Sequence, residues 1–243
     1  MNYIYPDLLR FGFTAAAVCV SASLSLAASA ADPTEQTAEP MASRFEKTVQ
    51  AYEAADKLQP PPKGAILLAG DSQFFRWKTV HEDLAGYMIV NRGIDSFQLS
   101  DVLHFTDRLI FPHEPRMLIL HVGGNDVHNG KTPERVLEDF KQFVAKIHAR
   151  WPDLPIAFSS ITPGPGRWDE AERRKRTNQV IKDYIATQRS LHFIDLWDAM
   201  LTSAGQPREE LWVEDRVHPN HAGYLLRVKI MRPLLGDPDR KTQ

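Results

Sequence analysis

Cysteine is nearly absent. Cys19 stands alone among 243 residues, so no intrachain disulfide can form and no cysteine-built metal cluster exists. An excess of charge of one sign is also missing. Lys and Arg number 29 against 31 Asp and Glu, the net charge is −2 and the pI is ≈ 6.5. No strong field favours a polyanion, so no nucleic-acid partner is expected. Glycine is scarce, with 13 residues against 17 prolines and no collagen-like period, which points to many fixed loops. No internal repeat is visible. The G-x-S-x-G elbow is absent, which argues against a lipase of the α/β-hydrolase type. Neither G-x-x-x-x-G-K-[ST] nor G-x-G-x-x-G occurs, so nucleoside triphosphate and dinucleotide roles lack their phosphate cradle. What remains is ordinary: 43% apolar and 25% charged residues, as in soluble globular proteins.

The one long uncharged apolar run spans residues 11–27, behind Arg10 and ahead of Ala28-Ser29-Ala30. This is the pattern of a secretory signal peptide over residues 1–30 with a small-x-small cleavage site. The run is short for a span of about 20 residues, so no stable membrane span is expected after cleavage, and the mature chain is expected in the periplasm or secreted. Without cysteine it must hold together by packing alone. Residues 31–42 are polar and patternless, as a linker is. Residues 43–63 read as a helix and a Pro-rich connector, 64–236 as the main domain and 237–243 as a tail.

Within the main domain, short apolar runs at 65–69, 87–90, 117–122, 156–160 and 191–194 have the continuity of strands covered on both faces. Amphipathic stretches lie between them. Thr132-Pro133 is a cap followed by proline at the first helical position, and Val136, Phe140, Phe143, Val144 and Ile147 form one stripe. A second helix is expected over about 168–189, and a last one from near Pro219. Strands alternating with helices predict a three-layer α/β fold with a mainly parallel sheet. Ligands then bind at the carboxyl ends of the strands.

Polar groups collect at those ends. Gly70-Asp71-Ser72 follows the first run, Asn91-Arg92-Gly93 the second and Gly123-Gly124-Asn125-Asp126 the third, while Asp215-Arg216-Val217-His218-Pro219 precedes the last helix. These are the parts that acyl transfer needs. A serine hydroxyl attacks only when a histidine takes its proton, and the histidine needs a carboxylate on its other nitrogen. Asp215, three residues before His218, is placed for that by a single turn. The oxyanion needs donors already in position, which the N–H groups of Ser72 and Gly93 and the side-chain amide of Asn125 can supply. Asp71 and Asp126 read as loop-shaping residues. His218 and His221 lack a third ligand for a metal, so neither metal nor cofactor is expected. The run Arg173-Arg174-Lys175-Arg176 reads as a solvated helix face. The loop 162–168 falls on the active edge, either as a substrate wall or as a connector.

On these blocks the chain resembles the SGNH hydrolases, also called the GDSL esterase family, from about residue 65 to 235. The stretch from Trp77 to Gly93 is similar to the branch of platelet-activating-factor acetylhydrolase subunits and bacterial lysophospholipase-like esterases. The resemblance implies a flavodoxin-like fold with a five-stranded parallel sheet. It also implies Ser72 as nucleophile, Asp215 and His218 as its partners, and Ser72, Gly93 and Asn125 as oxyanion donors. Gln73-Phe74-Phe75 stands where the family motif continues GDS-[IL]-T, and with Trp77 these aromatics either line an acyl site or pack in the core. The expected function is an exported serine esterase acting on a small-molecule, lipid or carbohydrate ester. A carbohydrate O-deacetylase or O-acetyltransferase is the alternative enzyme, and a sugar- or lipid-binding module on the same fold is the non-enzymatic one.

Overall fold

A computed structural model describes residues 41–238. The expected signal peptide and nearly all of the expected linker lie outside the described residues. The strands are β1 (Ile66–Gly70), β2 (Ile89–Gly93), β3 (Met117–His121), β4 (Ile156–Ser159) and β5 (Leu191–Ile194). They form one sheet in the order β2-β1-β3-β4-β5, with every pairing parallel. The helices are α1 (Met41–Leu58), α2 (Ser72–Phe75), α3 (Val80–Asp83), α4 (Leu99–His104), α5 (Thr106–Leu109), α6 (Gly124–His128), α7 (Pro133–Arg150), α8 (Ala171–Ile185) and α9 (His221–Leu235). Among the described residues no helix is long and apolar enough to cross a membrane.

The period of two along each strand divides the core between the two sheet faces. Leu67, Ala69, Leu118, Leu120 and Phe158 meet Phe45 of α1, Val102 of α4, Phe140 and Phe143 of α7 and Ile181 of α8. Ile66, Leu68, Ile119 and Ala157 meet Phe74 of α2, Val80 of α3 and Val228 and Met231 of α9. That is the three-layer arrangement which continuous apolar strands require. α7 starts as the sequence implies: Thr132 accepts the Arg135 N–H at 3.2 Å, Pro133 follows, and the whole stripe from Val136 to Ile147 is buried.

Two helix starts differ from expectation. α9 begins at His221 and not at Pro219. The side chain of Asn220 caps it by accepting the Gly223 N–H at 3.1 Å, and Pro219 instead bridges to Trp212. The segment Pro165–Glu170 is a 3-10 turn broken by the non-helical Arg167, so α8 starts only at Ala171.

All five strands point the same way, so their carboxyl ends share one edge of the sheet. β1 can leave that edge because Gly70 takes φ +148°, and a Cβ there would lie 1.9 Å from the His121 carbonyl oxygen. Only glycine fits that approach of β1 to β3.

Candidate active site

Ser72 is the first residue of α2. Asp71 caps the helix, its Oδ1 accepting the Gln73 N–H at 3.0 Å. Asp71 is thus the loop-shaping residue expected, and burial pushes its carboxyl up to about 7 against that N–H and the Arg227 guanidinium. The Ser72 N–H has no hydrogen-bond acceptor among the described residues, as at any helix start.

The loop 215–218 reaches the same edge. His218 Nε2 lies 2.8 Å from Ser72 Oγ, and its Nδ1 lies 2.7 Å from Asp215 Oδ2. Asp215 Oδ1 accepts the N–H groups of Val217 and His218, both at 2.9 Å. Arg216 closes this turn in the left-handed region at φ +58°, and its guanidinium pairs with Glu209. Partial burial opposes ionisation of Asp215. The two backbone N–H groups and the His218 ring outweigh it and hold the carboxyl down at about 2. With a carboxylate on Nδ1, that nitrogen carries the ring proton and Nε2 is left to accept from the Ser72 hydroxyl.

Asn125 lies on the cleft wall. One of its amide N–H groups donates to the Phe97 carbonyl at 2.9 Å, which leaves the other for the cleft. Asp126 beside it is fully buried. It accepts the Leu99 N–H through both oxygens, at 3.2 and 3.1 Å, and the Lys131 ammonium at 2.7 Å.

Gly93 is not where an oxyanion donor would be. Its N–H donates to Asn91 Oδ1 at 2.9 Å, its carbonyl accepts the Tyr52 hydroxyl at 2.7 Å, and it does not line the cleft. It is the last residue of β2, packed under α2, where a Cβ would sit 2.3 Å from the Phe75 nitrogen. The chain turns toward the cleft only afterwards, in a turn closed by Phe97 N–H to the Ile94 carbonyl at 3.2 Å. Ser96 sits at its third position with φ +66°, and Asp95 and Ser96 are the residues of this loop that line the cleft. Gly93→Ala keeps the N–H but forces α2 to move. Thermal unfolding should show a loss of about 1–3 kcal/mol. An unchanged melting temperature would refute this packing role.

The cleft holds about 460 Å³, and its walls are polar. Phe74 and Trp77 are fully buried in the core beneath α2, and half-buried Phe75 carries the Lys78 ammonium 4.4 Å from its ring centre. None of the three lines the cleft, and the core-packing alternative holds for Phe74 and Trp77. In their place stand Arg76, Asp95, Arg167 and Arg174. Arg174 corrects the reading of residues 173–176 as a solvated face. It is buried, with Nε and Nη2 on Glu170 at 2.9 and 2.7 Å. Glu170 stands one turn earlier, the spacing at which such pairs meet on a helix. Arg92 likewise turns away from the cleft, to Asp56 and His113. His221 bonds Asp83 at 2.9 Å and shares nothing with His218.

A layer behind Ser72 was not foreseen. Gln73 donates from Nε2 to Thr162 Oγ1 at 2.8 Å and accepts from the fully buried Arg227 of α9. It ties α2 to the loop after β4 and to the last helix. The departure from GDS-[IL]-T at position 73 was the only sequence signal, because its partners lie 89 and 154 residues away.

No curated protein matches the chain. Among solved structures, a Streptococcus pneumonia protein described provisionally as a platelet activating factor superposes with a TM-score of 0.71 at 20% identity, covering 80% of this chain and 94% of its own. A GDSL-like lipase from Bacteroides thetaiotaomicron gives 0.67 at 15% identity, covering 77% and 96%. At these identities the likeness speaks for the fold. The model of the GDSL-like lipase/acylhydrolase family matches residues 61–226, which takes in all of the motif residues named above. The chain therefore belongs to the GDSL-like lipase/acylhydrolase family, a family of ester-bond hydrolases.

Proposed function

We propose that the chain is an exported serine esterase that uses Ser72, His218 and Asp215 through an acyl-enzyme. The observation that carries this reading is the continuous relay at the cleft, Ser72 Oγ to His218 Nε2 at 2.8 Å and Nδ1 to Asp215 at 2.7 Å. His218 takes the hydroxyl proton as Ser72 attacks the ester carbonyl. The alkoxide leaves with that proton, and His218 then activates the water that releases the acid. The oxyanion is received by the N–H groups of Ser72 and Ser96 and the second N–H of Asn125. Ser96 here replaces Gly93 as the donor from the loop after β2. Asp215, held ionised down to about 2, is charged when His218 takes the proton and stabilises the imidazolium. Export rests on the pattern of residues 1–30.

The polar cleft favours a small acyl group on a polar alcohol, the substrate type of the carbohydrate O-deacetylase reading. Turnover of p-nitrophenyl esters should therefore be highest at acetate and fall toward laurate. A rise toward laurate would overturn the short-acyl reading, and no turnover from the folded chain would overturn the esterase. Asn125→Ala should keep the fold and lose about 2.7–4 kcal/mol of barrier stabilisation, a hundred- to thousand-fold in kcat. Near-normal kcat in that variant would remove Asn125 from the oxyanion site.

A further inference from the structure

Three guanidinium groups line the cleft beside Ser72: Arg76, Arg167 and Arg174. Two are neutralised. Arg76 pairs with Asp95 at 3.1 Å and with Asp215 at 3.5 Å, and Arg174 pairs with Glu170 at 2.7 Å. Arg167 has no ion-pair or hydrogen-bonding side-chain partner among the described residues. It is half-buried. The three carboxylates that share its wall are occupied, Asp71 by the Gln73 N–H, Asp95 by Arg76 and Asp215 by His218. The three guanidiniums are matched in number by Asp71, Asp95 and Asp215 on the same walls, so what sets Arg167 apart is its lack of a bonded partner and not a positive field across the cleft.

Its position is set by the catalytic loop. The Gly166 N–H donates to the Arg216 carbonyl at 2.8 Å, and a Cβ on Gly166 would lie 2.9 Å from the Asp215 carbonyl oxygen. The turn that carries Arg167 is thus fastened to the loop that carries His218. Its backbone leaves helical geometry at Arg167 itself, with φ −135°. A guanidinium without a side-chain partner keeps its donor fork open toward the cleft, and that fork matches the two oxygens of a carboxylate or phosphate.

We propose that the cleft selects esters carrying an oxyanion group, a carboxylate or a phosphate, with Arg167 as its counter-ion and specificity residue. This rests on the esterase reading above. It adds to that reading the charge of the substrate.

The test compares three acetyl esters of similar shape: meta-acetoxybenzoate, meta-acetoxyphenyl phosphate and the neutral meta-acetoxybenzamide. The chain should favour at least one anionic ester over the amide by about tenfold to a hundredfold in kcat/KM, and added salt should shrink the ratio. Whichever anion is hydrolysed faster names the group. Arg167→Gln should collapse the ratio toward one, and Arg167→Lys should keep part of it, since the charge stays and the fork is lost. Turnover with equal kcat/KM on charged and neutral esters, or a preference that Arg167→Gln leaves intact, would overturn this proposal alone. Turnover of p-nitrophenyl acetate but of none of the three would also overturn this proposal alone, and no turnover of any ester would overturn it together with the esterase reading.

Discussion

Ser72→Ala should yield a folded chain whose kcat on any accepted ester falls by on the order of 10⁶-fold. The fold survives because the hydroxyl makes one side-chain hydrogen bond, to His218. The cap of α2 comes from Asp71, and the anchor of the helix comes from Gln73 and Phe74, not from Ser72. On the proposed mechanism the loss is large because the nucleophile itself is gone, while the oxyanion donors remain to give only residual catalysis. His218→Ala should lose a similar factor, and the double variant little more, because the two residues act as one unit. Asp215→Asn should lose less, roughly 10⁴-fold, through the wrong ring tautomer. Single-turnover release of p-nitrophenol measures all four variants. A Ser72→Ala chain that kept more than roughly a hundredth of the wild-type rate would point to another nucleophile.

The largest stability effect should follow Asp126→Ala, at about 3 kcal/mol. Asp126 is fully buried between two demands. It satisfies the first N–H of α4, at Leu99, and the Lys131 ammonium. Lys131 also reaches Asp139 at 2.9 Å and Ser100 at 3.1 Å, so the cation is weakened but not stranded. That places the expectation at the lower end of the cost for breaking a buried pair. The Leu99 N–H has no such second partner. Because α4 begins where the loop carrying Ser96 ends, kcat should fall with stability, although Asp126 does not reach the cleft. Asp126→Asn, which keeps an acceptor for Leu99, should recover part of both. Urea unfolding gives the first quantity and ester turnover the second. Unaltered stability in Asp126→Ala would show that Lys131 and Asp139 carry the network without it.

Much of the site was legible because its residues are anchored locally. The strands show as apolar runs, the parallel sheet follows from their alternation with helices, and a parallel sheet gathers the residues after each strand to one edge. Ser72 follows β1, Asn125 follows β3, and Asp215 reaches His218 across one turn. Each of these placements needs only neighbours in the chain. The loop after β2 was misread for a related reason. Glycine at 93 suggested a backbone donor, yet its missing side chain serves the packing of α2 on β2. The residue brought to the cleft is Ser96, and a serine in the left-handed region of a turn carries little sequence signal, since glycine or asparagine is usual there.

By itself, the sequence determined the layers, the strand ends and the serine, histidine, aspartate and asparagine brought to one edge, because periodicity and short-range turns encode them. Only the tertiary structure decided which face each side chain of α2 and α8 presents. It buried Phe74 and Trp77, paired Arg174 with Glu170, joined Gln73 to Arg227 across 154 residues and left Arg167 without a counter-ion in the cleft. Burial and charge pairing depend on which distant segments meet, and no local pattern in the chain records that.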